Sequence, residues 1–149
     1  MKLRLLAAIL AVAAVGLSGC GGADMSDPRQ VVISMFGAME KNDKAALTHL
    51  LDLAELMRQT QQDYALQADQ ARVFTSPEQV LDDLTGEGET KRIWFGMQRI
   101  INESEITGNN AAVEVTFVDK EASRGYRTRF GLHKVQGEWR IYSFKTVQD

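Results

Sequence analysis

The chain has 149 residues, of which 44% are hydrophobic, and a formal net charge of −3 at pH 7. This length and apolar content suit a single domain with one core, and the acidic balance gives no electrostatic attraction to nucleic acid. The single cysteine excludes an intrachain disulfide and a metal site built from several thiolates.

The first twenty residues have the pattern of a targeting segment. Lys2 and Arg4 precede an apolar run, residues 5–17, which is shorter than the roughly 20 residues that span a bilayer. The run ends in Leu17-Ser18-Gly19-Cys20, which resembles the lipobox of bacterial lipoproteins. The resemblance implies cleavage before Cys20, a diacylglyceryl group on its sulfur, and often acylation, for example with palmitate, of its new amine. The alternatives, an uncleaved anchor or an unlipidated signal with a buried thiol, are disfavoured by the segment length and the position of the cysteine.

These features predict three parts: a cleaved signal peptide (1–19), a lipidated cysteine with a short tether (20–26), and one domain (27–149). Cleavage removes two basic residues and leaves 15 against 20 acidic residues, a net charge of −5. The acyl chains rather than charge must therefore provide membrane binding. We expect the protein in a bacterial cell envelope, on the periplasmic face of the outer membrane, because Gly21 resembles the residue that permits outer-membrane sorting. The inner membrane is the alternative.

Capping signals predict the first helices. Asp27-Pro28-Arg29-Gln30 combines an N-cap, a proline at the first helical position and a capping box, so a helix is expected over Pro28–Met39. Lys41-Asn42-Asp43 breaks it, and Asp43 caps a second helix that packs with the first as a hairpin. From Leu53 to about Val73 the residues are polar but good helix formers, which leaves a third helix uncertain.

The middle of the chain carries one more clear helix signal. Ser76 repeats the capping pattern and starts a short helix. Residues 86–89 (Gly-Glu-Gly-Glu) form an acidic loop that lacks the Gly-Lys-Ser/Thr ending of a phosphate-binding loop. Ile93-Trp94-Phe95 is compatible with a helical turn or with the entry to a strand.

Four strands are predicted after residue 98, joined as an antiparallel meander. Their ranges are Arg99–Ile106, Ala111–Val118, Tyr126–Val135 and Glu138–Thr146. Alternation places an apolar set on the face that meets the helices, namely Val113, Val115, Phe117, Tyr126, Thr128, Phe130 and Leu132. It places a polar set on the opposite face, namely Glu114, Thr116, Arg127, Arg129 and His133. Helices followed by an antiparallel sheet predict the α+β class.

The whole mature chain resembles the nuclear transport factor 2-like (cystatin-like) fold, and specifically small bacterial lipoproteins of unknown function with that fold. The resemblance is carried by the Pro28–Met39 helix, the break at 41–43, and the ending from Ala111–Phe117 through Lys134–Phe144. It implies a cone in which helices pack on a curved four-stranded antiparallel sheet and enclose a pocket. Members include isomerases, dehydratases, ligand binders and interaction modules, so the fold does not decide the function.

The candidate binding residues lie on the predicted sheet. Arg127, Arg129 and His133 form a row on the polar face, which could meet an acidic group with Arg140 from the next strand; an ordinary solvated strand face is the alternative. Tyr126 and Trp94, together with Tyr64, are either pocket-lining or core aromatics.

Signals for catalysis and metal binding are weak. His133 could act as a base, although a solvated or interface histidine is the simpler interpretation. His49 with Asp52 and Asp43 could share a helix surface, but one imidazole and scattered carboxylates do not make a zinc site. No catalytic residue, metal or cofactor is predicted, apart from the covalent lipid at Cys20.

We therefore expect a membrane-anchored lipoprotein whose domain binds a small molecule, a peptide or an envelope protein without catalysis. The alternative is an enzyme that applies acid–base chemistry to a hydrophobic small molecule in the cone pocket. A homodimer is a separate hypothesis, because one sheet face is predicted to carry Tyr142 and Phe144 between charged residues and the family often pairs its sheets. The sequence names neither the ligand nor the partner.

Overall fold

The computed structural model describes residues 24–63 and 74–147. The predicted signal peptide, Cys20 and Tyr64 lie outside these residues. The described residues form the following elements: α1 (Pro28–Glu40), α2 (Lys44–Leu50), α3 (Leu53–Asp63), α4 (Pro77–Asp83), α5 (Glu89–Phe95), β1 (Gln98–Thr107), β2 (Asn110–Asp119), β3 (Arg124–Val135) and β4 (Glu138–Val147). No helix in these two stretches is long and apolar enough to cross a membrane.

The helix starts predicted from capping residues are confirmed. The Asp27 carboxylate accepts from the backbone N–H of Arg29 at 2.9 Å and begins α1, while Asp43 accepts from Ala46 N–H at 2.9 Å and begins α2. Ser76 caps α4 in the same way. These side chains satisfy N–H groups that the first turn of a helix leaves without partners, which explains why the local sequence locates the starts.

Two uncertain stretches are resolved by the structure. The third helix, α3, forms and runs to Asp63 within the described residues. Ile93-Trp94-Phe95 adopts the helical alternative, because it lies in α5. That helix begins at Glu89, so the predicted acidic loop is one residue shorter than expected.

The four strands form one sheet in the order β1-β2-β3-β4 with every neighbouring pair antiparallel, which confirms the predicted meander. The turn between β3 and β4 has positive φ at Gln136 (52°) and Gly137 (83°), as a two-residue hairpin turn requires. The predicted apolar face packs against the helices, and an aromatic cluster lies at its centre. Its rings belong to Phe36, Trp94, Phe117, Phe130 and Phe144.

A β-bulge in β4 corrects one expectation. Leu132 pairs with Ile141 and Gly131 with Ser143, so Tyr142 is an extra residue without a partner in the register. The extra residue reverses the alternation of side chains beyond it. Phe144 is therefore buried in the core, and Tyr142 lies on the polar face, where its ring stacks on His133. The expectation that Tyr142 and Phe144 share one face was wrong.

The connection from α2 to α3 runs along the edge of β4. Leu51 forms a parallel bridge with Ile141, and the Asp52 N–H donates to the Ile141 carbonyl at 2.8 Å. The next helix buries Leu56 completely in the core. Asp52, Glu55 and Gln59 follow one another at helical spacing, so they lie on one face of α3. Contacts of Asp52 and Gln59 with the sheet place that face toward the polar side of the sheet.

Candidate functional site

The arginines of the predicted row have acidic partners within the chain itself. Arg127 pairs with Glu114 at 3.4 Å, and Arg129 Nη2 lies 2.7 Å from a Glu105 oxygen. Glu114 belongs to β2 and Glu105 to β1, so these pairs cross-link the polar face of the sheet. The row therefore contributes alternating charges rather than a uniform basic patch.

His133, the third member of the row, is held on two sides. Its Nε2 lies 2.9 Å from a carboxylate oxygen of Asp52, and its ring stacks on Tyr142 with centroids 4.7 Å apart. The sequence placed Asp52 beside His49 on a helix surface instead. Asp43 and His49 both line a depression between α1 and α2, whereas Asp52 contacts His133, so the structure brings together only two of these three residues.

The Asp52 carboxylate also starts α3. Its Oδ1 accepts from the Glu55 N–H at 3.2 Å while its Oδ2 contacts the imidazole of His133. One side chain thus fixes both the first turn of the helix and the orientation of a histidine on the sheet. The same turn carries Glu55, which accepts hydrogen bonds from Arg58 and Gln59. The bonds from Arg58 and then Gln59 lower the pKa of Glu55 to about 2, despite opposing desolvation.

A row of small residues crosses the sheet next to His133. The register aligns Glu105 with Ala112, Ala112 with Gly131, and Gly131 with Ser143, across all four strands. The two central positions carry almost no side chain. A Cβ atom added to Gly131 would lie 2.4 Å from Ser143 Oγ and 3.0 Å from Tyr142 Cζ, so the tyrosine ring lies directly beside this glycine. Ala112 and Gly131 form the floor of a depression bounded by larger side chains.

This depression, which we name the Tyr142 cleft, has a volume of about 400 Å³. That volume lies at the lower end of the range for small-molecule pockets. Its walls carry the charged side chains of Glu105, Arg129 and Lys145, the hydroxyl-bearing Tyr142 and Ser143, and the amides of Gln59 and Asn110. Most of these groups can form hydrogen bonds, so the cleft suits a polar ligand better than an apolar one.

The two aromatic candidates lie elsewhere. Trp94 is only 4% exposed and stacks on Phe117, with centroids 5.4 Å apart. Tyr126 is half-buried and stacks on the ring of Phe117, with centroids 5.1 Å apart, and burial raises its pKa to about 12. Both residues therefore belong to the helix-facing side of the sheet, opposite the Tyr142 cleft. Sequence reasoning missed Tyr142 as a site residue because only the pairing of β3 with β4 brings its ring beside Gly131 and His133.

A second depression of about 680 Å³ lies between α1 and α2. Met25, Ile33, Ala46 and Leu50 supply much of its apolar lining, with His49 and other polar residues around them. Met25 is fixed there because its carbonyl accepts from Trp139 N–H at 3.1 Å. In the stretches that the structure describes, no group of three or more histidine, cysteine or acidic residues is placed to hold a metal ion.

Comparison with known proteins identifies the fold but not a family. No family model matches the chain, and no curated protein matches its sequence. Among solved structures, a designed nuclear transport factor 2-like protein carrying five named substitutions superposes with a TM-score of 0.52. The match covers 80% of this chain and 95% of the designed one at 15% identity, which is informative about the fold alone. The chain therefore has the nuclear transport factor 2-like α+β cone fold that its sequence resembles.

Proposed function

We propose that the protein is a bacterial lipoprotein, anchored through Cys20, whose domain binds a small molecule in the Tyr142 cleft without catalysis. The observation that carries the proposal is the floor formed by Ala112 and Gly131, which leaves a depression in an otherwise charged sheet face. Hydrogen-bonding side chains surround this depression and can bind a small polar molecule there. The fold supports this role because it hosts ligand-binding domains.

The position of the N-terminal segment relates the cleft to the membrane. Met25 is bonded to Trp139, at the sheet end that also carries the β3–β4 turn. Ser143, which lines the cleft, lies four residues from Trp139 along the same strand, about 13 Å away at the usual rise per residue. Lipid at Cys20 would hold this end of the domain near the bilayer. We place the domain on the periplasmic face of the outer membrane, with the cleft close to the membrane surface.

The enzymatic alternative rests on the ionisable groups of the cleft. Glu105 is the one carboxylate among the described lining residues, and it is bound to Arg129. The histidine nearest the cleft, His133, is engaged by Asp52 and covered on one side by Tyr142. A general base needs access to the proton it abstracts. These contacts favour binding over acid–base chemistry.

Native mass spectrometry of the full-length protein, extracted from its host membrane with a non-ionic detergent, tests ligand binding. We expect a small molecule on the wild type and its absence from Ala112→Leu, whose larger side chain fills the cleft floor. Thr116→Leu is the matched control, because Thr116 lies on the same face of β2 but outside the cleft lining. The Thr116→Leu variant should retain the ligand. A wild-type protein without ligand, or equal retention by Ala112→Leu, would contradict the assignment.

A separate measurement tests the anchor. Intact-mass analysis of the membrane-extracted protein should give a chain that starts at Cys20 and carries a diacylglyceryl group. Cys20→Ser should abolish this modification and the associated cleavage, since serine has no thiol to accept the lipid. A wild-type chain with an unmodified cysteine would disprove the anchor and leave the cleft assignment standing.

A further inference from the structure

Two cationic residues of the Tyr142 cleft are neighbours on the sheet. Arg129 and Lys145 are paired in the register of β3 and β4, so the two cationic residues are neighbours on the same face. Glu105 supplies the only carboxylate among the described lining residues. Both cationic residues line the cleft, and their neighbouring charges can attract an anionic ligand.

Arg129 already binds a carboxylate in this structure. Its guanidinium contacts Glu105 at 2.7 Å, and the two side chains are 45% and 73% exposed respectively. A guanidinium group can bind a carboxylate through two parallel hydrogen bonds, a geometry that a neutral amide does not reproduce. Glu105 thus marks the position where an external carboxylate can bind.

The bond between Glu105 and Arg129 is easily replaced. Ion pairs this exposed contribute little to stability, because water screens the charges and both side chains lose freedom when they pair. Glu105 also lies on β1, at the edge of the sheet, where its side chain can turn toward solvent. A ligand held in addition by the Tyr142 and Ser143 hydroxyls would therefore displace it.

We infer that the Tyr142 cleft binds the carboxylate of a small organic acid, with Arg129 as its principal contact and Glu105 as an internal competitor for the same guanidinium. This inference rests on the proposed ligand-binding function and specifies its ligand class. Tyr142 forms the aromatic wall and is oriented by His133, which Asp52 holds in turn. The helix α3 thereby contributes to the shape of a site on the sheet.

Fluorine NMR with two probes of nearly equal shape tests the charge requirement. Para-fluorobenzoate carries a carboxylate, whereas para-fluorobenzamide is neutral; both are titrated into the full-length protein in a non-ionic detergent. We expect benzoate to bind the wild type more tightly than benzamide. Arg129→Gln should weaken benzoate binding about tenfold or more, the value of a lost charge-assisted hydrogen bond. Glu105→Gln should strengthen it by up to about fivefold, because the competitor is neutralised.

Arg127→Gln serves as the matched control. Arg127 is two residues away on the same strand and face, pairs with Glu114, and does not line the cleft. Its replacement changes the net charge by the same amount as Arg129→Gln and should leave benzoate affinity unchanged. An equal loss in both variants would show a diffuse charge effect and would overturn the inference.

Three further outcomes would also overturn it: equal binding of the two probes, no binding of benzoate to the wild type, or tighter binding of inorganic phosphate than of benzoate. None of these outcomes contradicts the proposed ligand-binding function, because native mass spectrometry tests that function separately. A neutral co-purified ligand lost in Ala112→Leu would sustain ligand binding while refuting the carboxylate class. An organic acid lost in the same variant would support both.

Discussion

The imidazole of His133 and the carboxylate of Asp52 lie 2.9 Å apart, although 81 positions separate them in the chain. His133 belongs to the third strand, and Asp52 is the residue from which α3 begins. The contact joins a helix start to the polar face of the sheet. Because His133 also stacks on Tyr142, the same contact connects α3 to the wall of the Tyr142 cleft.

Replacing Asp52 should therefore lower the free energy of unfolding by more than the loss of a helix cap alone would. We expect Asp52→Ala to lower the free energy of unfolding by about 2–3 kcal/mol, combining a lost N-cap with a lost charge-assisted hydrogen bond. Asp43→Ala is the control, because Asp43 caps α2 through Ala46 and does not contact His133. Asp43→Ala should lower the free energy of unfolding by about 1 kcal/mol. Urea unfolding followed by circular dichroism measures both, and equal losses would show that the histidine contact contributes nothing.

Local signals explain how much of this structure the sequence could predict. Caps such as Asp27 and Ser76 act within one helical turn, and alternation along β2 and β3 separates the buried face from the polar face. Both signals can be interpreted without the tertiary structure. They give the element order, the meander and the α+β class.

The cleft could not be predicted in the same way, because it depends on register and on an irregularity. Ala112 and Gly131 are visible as small residues on the polar face, but only the pairing of β2 with β3 makes them neighbours. The extra residue Tyr142 reverses the alternation beyond it, which brings Ser143 onto the polar face and Phe144 into the core, and simple alternation predicts neither position. The partner of Asp52 likewise depends on the path of the chain past β4.

Alanine substitutions at Gly131 and Gly37 should have opposite effects on protein stability, because only Gly131 is closely packed. Gly131→Ala should destabilise the protein by about 1–3 kcal/mol, the usual range for overpacking, because the new methyl group collides with Ser143 and displaces Tyr142. Gly37→Ala in α1 meets nothing within 4 Å and should stabilise the protein by about 0.5–1 kcal/mol through lower unfolded-chain entropy. Urea unfolding measures both variants. Stabilisation by Gly131→Ala would show that Tyr142 does not lie against the glycine.

Glu55 should make stability depend on acidic pH. Its pKa falls from the ordinary 4.5 to about 2 in the folded chain, so the folded state binds the proton less readily than the unfolded state. The stabilisation is complete above pH 4.5 and is lost as the pH falls through that value toward 2. Unfolding midpoints measured across this range should fall less steeply for Glu55→Gln than for the wild type. Parallel curves for the two proteins would refute the contribution of this carboxylate.

Substitutions at Trp94 and at Tyr142 should distinguish effects on protein stability from effects on ligand binding. Trp94 is buried among the core aromatics, and we expect Trp94→Leu to lower the free energy of unfolding by about 2–4 kcal/mol, in line with other large-to-small core changes. Because Trp94 lies opposite the cleft, the affinity of the folded fraction for para-fluorobenzoate should not change.

Tyr142→Leu should have the reverse effect, because its ring is a wall of the cleft and is only half-buried. We expect a several-fold loss of benzoate affinity, consistent with about 1 kcal/mol for a hydroxyl hydrogen bond, and a smaller change in stability than Trp94→Leu produces. Fluorine NMR titration and urea unfolding on the same preparations give the two readings. If Trp94→Leu weakened binding more than Tyr142→Leu, the ligand site would lie on the helix-facing side of the sheet, with Trp94 and Tyr126.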